Sequence, residues 1–457
     1  MKQLTSWAAI ALTTVALSAA SCSSGDDAPQ PVICPVEPIV SVPPTTTALT
    51  RSEEQMVSAS NGFTFNLMRR VQHPDHSQVL SPLSITFALG MLNNGAAGET
   101  QQQINDVLGF TAVINSTLPG DAPASSTLAD PVAGAVAIND FCYKMATLAP
   151  TVDPQTTVTI ANNIYLNNRY ELYQAFTANA KAFYGAEPET RNFSDGQTRD
   201  VINQWAADHT QQMIKEVLTE QEFNPGAVSY LLNAIYFKGQ WTHQFDKQLT
   251  VDRVFEHAGD TDELVTLPMM HQTDMLSYAE DDNYQAVQLP YGAAVSDGEQ
   301  TSQGGYAMTI LLPKVQQGQA RNAVPPVPTA EEFGKLCRQL SPREVDLLLP
   351  RFETDTNVDL VPVMKALGMP KAFTTEAEFP NFCTLPTYIG KMKQVAKIKV
   401  DEEGSEAAAV TVVEGMATAI GPEPPVVAKF HATRPFLYVI SERKTGAVFF
   451  IGQFTGH

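Results

Sequence analysis

The residues that could do catalytic chemistry are thinly spread along this chain. Its eight histidines are dispersed, and the only close pair, in His73-Pro74-Asp75-His76, contains a proline that spoils a helical ligand face. This segment therefore predicts a surface turn rather than a zinc site. The chain has neither a Gly-x-Ser-x-Gly elbow nor a glycine-rich phosphate loop. The spacing of these residues therefore gives no indication of a metal site, a cofactor site or an enzyme active site. A hydrolase whose triad is assembled from distant residues stays open, because such a triad leaves no spacing motif in the sequence.

One stretch near the C-terminus changes character three times within the length of a loop. Acidic Asp401-Glu402-Glu403 precedes Gly404, the small residues 405–409 and the β-branched Thr411-Val412-Val413. Glycine permits hinge angles, and β-branched residues favour strands. An ordinary strand with a following loop fits this composition as well as a strand that forms conditionally. On strand alternation, the charges share one face, and the other face carries Ser405, Ala407, Ala409, Thr411 and Val413.

Two motifs in this region carry a family resemblance. Glu402-Glu403-Gly404-Ser405-Glu406-Ala407-Ala408-Ala409 resembles the hinge of inhibitory serpins, and Phe430-His431-Ala432-Thr433-Arg434-Pro435-Phe436-Leu437 resembles the segment after their reactive loop. Ser81-Pro82-Leu83-Ser84-Ile85 and Leu232-Asn233-Ala234-Ile235-Tyr236-Phe237-Lys238-Gly239-Gln240-Trp241 continue the match in family order. The resemblance covers about residues 50–457. It implies an α+β serpin fold with a large, mostly antiparallel central sheet, two further sheets, about eight to nine helices and an exposed reactive-centre loop at about 402–428.

The resemblance also assigns the residues of the loop. Its spacing puts the scissile bond fourteen positions beyond Gly404, between Thr418 and Ala419. Met416-Ala417 is the nearest alternative, because it suits chymotrypsin- or elastase-like pockets better. Counting back from Pro435 gives a different bond, because the interval from Gly404 is longer than is common in the family. The implied hinge is Glu403, Gly404, Ser405, Glu406, Ala407, Ala408 and Ala409.

In serpins, the positions matching Ser84, Asn233 and Gln394 form a hydrogen-bonded cluster that controls opening of the central sheet. The family usually has histidine where Gln394 stands. Glutamine can both donate and accept hydrogen bonds, so the cluster can close without the pH dependence of histidine. Core polar groups that hold strands in register fit these residues equally well. Trp241 is assigned to the region where the loop meets the sheet.

The function that the resemblance implies is suicide-substrate inhibition of a protease, the one partner expected, by a monomer without a cofactor. No lysine or arginine lies between Gly404 and Ala428. This composition favours an elastase-, chymotrypsin- or subtilisin-like serine endopeptidase over a trypsin-like one, and a papain-like cysteine protease stays open. The alternative is a non-inhibitory serpin that binds or carries another molecule, for which a hinge interrupted by bulky or charged residues is expected.

Composition limits the other partners. The chain has 457 residues, 44% of them hydrophobic, and can bury a large core. Its formal charge of −20 predicts repulsion of nucleic acid and of anionic lipid. Solubility alone explains this acidity equally well.

The N-terminus predicts export. Residues 1–21 carry one charge, Lys2, before a short apolar run, as in a signal peptide. Ala19-Ala20-Ser21-Cys22 resembles a bacterial lipoprotein cleavage box, and the acidic residues after it resemble the tether of Bacteroidetes-type surface lipoproteins. We expect lipidation at Cys22 and a location at the outer-membrane surface, with secretion into the medium as the alternative. Residues 22–49, rich in proline and threonine, predict a disordered tether before a domain at 50–457.

The remaining patterns predict individual elements. Helices are expected from Ser52, from a cap at Ser81 before Pro82, and over residues 173–184 and 201–217. Residues 158–166 and 229–237 predict strands, and residues 111–134 a surface insertion between helices. Cys34, Cys142, Cys337 and Cys383 lack metal-ligand spacing; an exported chain could pair them, but buried thiols fit Cys142 and Cys337 better.

Overall fold

The computed structural model describes residues 49–116, 131–153, 155–258, 264–292, 295–297, 300–302, 305–405 and 427–457. The chain divides into two units, residues 1–35 and 36–457, and every described residue belongs to the second. Within the described ranges there are nine α-helices: Arg51–Val71 (α1), Pro82–Asn93 (α2), Gly98–Val107 (α3), Phe110–Ser116 (α4), Pro131–Leu148 (α5), Gln174–Tyr184 (α6), Gln197–His209 (α7), Ala330–Arg338 (α8) and Val361–Leu367 (α9). Three short 3₁₀ helices cover Ala149–Thr151, Lys247–Leu249 and Lys371–Phe373.

The strands of the described residues form three sheets. In chain order they are Gln78–Leu80 (β1), Thr156–Asn167 (β2), Glu189–Arg191 (β3), Ser229–Gln240 (β4), Val251–Phe255 (β5), Val265–Glu280 (β6), Tyr284–Tyr291 (β7), Val295–Asp297 (β8), Gln300–Ser302 (β9), Tyr306–Pro313 (β10), Ser341–Pro350 (β11), Phe352–Asp359 (β12), Lys391–Val400 (β13), Gly404–Ser405 (β14), Ala428–His431 (β15), Phe436–Glu442 (β16) and Val448–Phe454 (β17).

The six-stranded sheet, which we call the central sheet, positions the candidate site. Its order is β12-β13-β14-β4-β2-β3, and its neighbours are antiparallel except for β13 with β4 and β2 with β3. The nine-stranded sheet has the order β1-β17-β16-β10-β7-β6-β11-β15, with β5 on β6, and β8 pairs with β9. The α+β architecture predicted from the sequence, with a large central sheet, is confirmed.

The central sheet is covered on both faces. Every residue of α2 is buried, and this helix packs beneath β2 and β4 within the main hydrophobic core. A second core lies between the other face of the sheet and α7 together with the chain after it, and includes Ile202, Ile214, Tyr230, Leu232 and Val395. Burial on both faces explains the near-continuous apolar sequence of β4.

Several predicted boundaries were wrong. The helix expected over residues 201–217 ends at His209, because the Thr210 hydroxyl bonds back to Ala206 and residues 211 and 212 take positive φ angles of 52° and 64°. Ser81 is the N-cap residue of α2, but its side chain makes no capping hydrogen bond. Residues 111–116 and 131–134 of the expected insertion are helical, and residues 117–130 lie outside the described ranges.

Candidate functional site

The central sheet is split at one end by β14. Strands β13 and β4 pair directly from Lys391–Tyr230 as far as Val395–Ala234. Five residues further along, Ser405 is level with both Val400 of β13 and Gly239 of β4, antiparallel to each. We call the space between β13 and β4 the seam. The hinge predicted from the sequence thus begins as a short strand inside the seam, so the first residues of the predicted loop are buried rather than exposed.

Gly404 is the residue that allows this close approach. Its φ angle is 151°, a conformation that side chains rarely adopt. A Cβ atom built there would lie 2.1 Å from the carbonyl oxygen of Gly239. The backbone therefore enters the seam where no larger residue fits.

Ser405 is fully buried and faces the core. Its Oγ lies 2.8 Å from the hydroxyl of Tyr291, and burial raises the pKa of that tyrosine far above its usual value. The Tyr291 ring stacks on Trp241 with ring centroids 4.4 Å apart. Trp241 in turn donates from its indole nitrogen to the carbonyl of Asp401 at 2.9 Å, and from its backbone amide to the carbonyl of Glu403. Trp241 thus lies beside the start of the predicted loop.

Two glutamates fix the chain just before the hinge. Glu402 is 1% exposed and accepts hydrogen bonds from Arg351 at 2.5 Å and from Thr250 at 2.6 Å. Burial alone would raise the pKa of Glu402, but the bonds from Arg351 and Thr250 outweigh it and leave the pKa lowered. Glu403 pairs with Lys247 at the surface.

Ser84, Asn233 and Gln394 lie together at the closed end of the seam, where Gln394 and Asn233 are direct cross-strand neighbours. Asn233 Oδ1 accepts from Ser84 Oγ at 2.5 Å and from Gln394 Nε2 at 2.7 Å. Gln394 also exchanges two hydrogen bonds with the backbone of Ser81. Asn233 donates to Asn162 Oδ1 at 2.6 Å, so a fourth residue, unassigned from the sequence, completes this network. The network ties α2, β2, β4 and β13 together.

The far end of the predicted loop joins the nine-stranded sheet. Val427 is 42% exposed, and β15 after it pairs with β11 in parallel. Asp346 of β11 accepts from His431 of β15 at 3.0 Å and from His271 of β6 at 2.9 Å. These bonds lower the pKa of Asp346 against the opposing effect of burial. Three adjacent strands are thereby linked through one carboxylate.

Several predicted site residues lie outside the described ranges: Glu406, Ala407, Ala408, Ala409, both candidate scissile bonds (Thr418–Ala419 and Met416–Ala417) and Cys22. The roles of Arg351, Tyr291, Asn162, Asp346 and Thr250 were missed. Arg351 and Tyr291 belong to conspicuous Leu-Pro-containing motifs, but nothing in those motifs indicates which strand end each side chain will meet.

Cys142, Cys337 and Cys383 are free thiols. Burial raises the pKa of Cys337 to about 12 and that of Cys142 further, so both are poor nucleophiles. The described part of the chain contains no cluster of three or more His, Cys, Asp or Glu side chains suited to a metal ion. None of its helices is both long and apolar enough to cross a bilayer.

Comparison with known proteins identifies the family. A family model described as serpin (serine protease inhibitor) matches residues 58–456. Human serpin B11 is 30% identical over 387 residues, which cover 82% of this chain and 91% of the relative. Chicken neuroserpin is 28% identical over 401 residues, covering 84% and 87%. The chain belongs to the serpin family.

Solved structures share the fold. The thermophilic serpin tengpin in its native state superposes with a TM-score of 0.74 at 23% identity, over 92% of this chain and 97% of tengpin. Human thyroxine-binding globulin complexed with thyroxine gives a TM-score of 0.71 at 24% identity, over 88% of this chain and 98% of the globulin. The serpin fold implied by the sequence motifs is confirmed.

We predict that Glu402→Gln loosens the chain before the hinge in a pH-dependent way. Because the folded pKa of Glu402 is lowered, its contribution is fully present above the unfolded value and is lost as pH falls through the folded value. Between pH 6 and 8 we expect the variant to lose about 1 kcal/mol of the free energy of unfolding relative to wild type, a modest value because Arg351 is partly exposed. Below about pH 4.5 the difference between variant and wild type should be smaller. Urea unfolding across this pH range measures it, with the exposed Glu376→Gln as the matched control. An equal effect of both substitutions at pH 7 would contradict the prediction.

We predict that Gln394→Leu weakens the closed end of the seam. The leucine would leave the buried backbone amide of Ser81 without its partner and remove one donor each to the Ser81 carbonyl, which keeps Ser84 and Ile85, and to Asn233. The expected loss is about 2–3 kcal/mol in the free energy of unfolding. Gln394→His, which restores a donor, should recover part of it. Wild-type stability in the leucine variant would show that these bonds contribute nothing net.

Proposed function

We propose that this chain is an inhibitory serpin, not an enzyme, which traps a serine endopeptidase as a covalent acyl-enzyme by inserting its cleaved loop into the central sheet. The observation that carries the proposal is β14. Both of its residues already pair with β4, and Ser405 also pairs with β13. An inserting strand can therefore extend directly from Ser405, because its first pairing with the sheet already exists.

The register of β14 says where each following residue would go. Each step along an antiparallel strand moves one residue back along both neighbours. Ser405 faces the core, so Ala407, Ala409, Thr411 and Val413 would face it too, and these are small or β-branched. Thr411 would come level with Gln394 and Asn233, whose direct hydrogen bond would have to open to admit it.

The proposed reaction starts as ordinary proteolysis. The catalytic hydroxyl of the protease attacks the carbonyl carbon before the scissile bond, its proton passes to the departing amine, and an ester replaces the peptide bond. The freed segment then enters the seam with the protease attached, before water hydrolyses the ester. Each new backbone hydrogen bond contributes about 1 kcal/mol, so a strand of some ten residues can offset considerable distortion of the trapped enzyme.

The target class follows from the loop sequence. Residues 405–427 contain no lysine or arginine, and both candidate bonds, Thr418–Ala419 and Met416–Ala417, join small or apolar residues. An elastase-, chymotrypsin- or subtilisin-like protease fits them, and a papain-like protease is the second candidate. We further propose export of a monomer anchored by a lipid at Cys22; the sequence relatives reported above, from human and chicken, do not bear on that anchor.

The first test is incubation of the protein lacking residues 1–22 with neutrophil-type elastase, chymotrypsin, subtilisin and papain. We expect a band at the summed mass that survives denaturation, and a released C-terminal peptide whose mass identifies the scissile bond. Cleavage by every protease without such a band would refute trapping of these proteases and favour a non-inhibitory serpin.

A matched pair of variants tests the insertion step. By the register of β14, Ala407→Glu would bury an unpaired carboxylate, whereas Ala408→Glu would leave the same group on the opposite face beside Lys397, which is partly exposed. We expect Ala407→Glu to raise the amount of inhibitor consumed per protease trapped by about tenfold or more, and Ala408→Glu to change it less than about twofold. Titration against the protease trapped in the first test measures both, and equal effects would exclude this register.

A further inference from the structure

Strand β13 carries a stripe of basic side chains on one face. One face of the strand buries Met392, Gln394, Ala396, Ile398 and Val400. The residues between them lie on the opposite face, which is partly covered by α7 and otherwise open to solvent. We call these four lysines the lysine stripe: Lys391, Lys393, Lys397 and Lys399. Lys238 of β4 projects from the same face, across the seam from Lys399.

The four lysines differ in how well they are paired. Lys393 and Lys397 hold carboxylates at short range, Glu222 at 2.6 Å and Glu353 at 2.5 Å. Lys399 lies 4.0 Å from Asp401, its closest ion-pair partner among the described residues, and is half exposed. Lys391 reaches Glu222 and Asp359 only at 4.0 and 3.9 Å. Two lysines are therefore satisfied and two have only loose partners.

The sequence that follows Ser405 matches this pattern. In the register of β14, Glu406 would come level with Lys399 and Lys238, and Glu414 level with Lys391. The uncharged Ala408 and Val412 would come level with Lys397 and Lys393, which already have partners. Val410 would meet Val395 in the apolar second core. Glutamates thus coincide with the loosely paired lysines and with no others.

We propose that the lysine stripe is the docking surface for residues 406–414 of this chain, and that Glu406 and Glu414 select the register in which that segment enters the seam. The inference rests on the proposed insertion function. The two contacts lie at opposite ends of the segment. A slip by one residue moves both glutamates to the apolar face. A slip by two in one direction brings Glu406 to Lys397, which already holds a carboxylate, and Glu414 to Ile389; in the other direction it brings Glu414 to Lys393, which is also paired, and Glu406 to Asp401. Charge thereby discriminates between registers that the small, similar residues 407–409 distinguish poorly.

Synthetic peptides of residues 405–418, labelled with a fluorophore, test this on the intact protein. One peptide has the natural sequence, and a second carries Glu406→Gln and Glu414→Gln. The third carries Glu406→Ala, Ala408→Glu, Val412→Glu and Glu414→Val, which keeps the composition, the net charge and the apolar face but moves the glutamates to the wrong rows. The rate of incorporation is read on native gels in low salt and in about 0.5 M NaCl, where the Debye length is short and charge–charge interactions are screened.

We expect the natural peptide to incorporate about fivefold faster than either variant in low salt, and the difference to disappear in high salt. In the protein variant Lys391→Gln/Lys399→Gln the three peptides should differ less than about twofold, whereas Lys429→Gln, at the exposed position of β15, should leave the fivefold difference intact. Equal rates for the natural and rearranged peptides would overturn the proposed role of the lysine stripe in selecting the register, while leaving the insertion step in place. Failure of every peptide to incorporate would overturn both this inference and the insertion step; covalent trapping is read separately.

Discussion

The constraint on which this structure depends is that β13 and β4 pair over only half their length. Backbone amides and carbonyls that are buried without partners are costly, so two parallel strands that diverge need something between them. In this protein, β14 supplies the partner at one end, and direct pairing does so at the other. The backbone groups are therefore paired at both ends of the seam, through β14 at one end and by direct β13–β4 pairing at the other. A strand that extends β14 along the seam must break the direct pairing between β13 and β4.

The side chains around the seam support these two arrangements separately. At the hinge end, Gly404 admits the backbone, Tyr291 binds Ser405, and Glu402 is held by Arg351 and Thr250. At the closed end, Asn233 collects hydrogen bonds from α2 and β13 on one oxygen. The hinge end is charged and partly exposed, whereas the core-facing network of Ser84, Asn233 and Gln394 at the closed end is neutral and buried. The hinge end therefore responds to salt and acid more than this network does, because salt and acid act on ion pairs far more than on neutral buried hydrogen bonds.

The sequence predicted those features that depend on local pattern. The alternation of small residues after Gly404 identified the face that Ser405 turns to the core, and the apolar run of β4 was correctly predicted as a strand. The family resemblance also singled out Ser84, Asn233 and Gln394 as one group. Features that depend on distant chain segments were not visible. Asp346 receives one histidine from each neighbouring strand, and no spacing in the sequence reports that pairing.

The error in α7 has a similar cause. Ile214, Val217 and Leu218 do belong to the second core, so their apolar periodicity was correctly noticed. They reach it from irregular chain, because the side-chain oxygen of Asn203 accepts from the amides of residues 217 and 218 in place of a continuing helix. That irregular chain then leads through Glu222 into β4 while Glu222 holds Lys393 of β13 at 2.6 Å. The pair therefore crosses the seam as a strap. Separating β13 from β4 by one strand spacing of about 4.8 Å stretches this strap beyond any ion-pair distance. If the chain around Glu222 stays with β4, the proposed insertion must therefore break this ion pair.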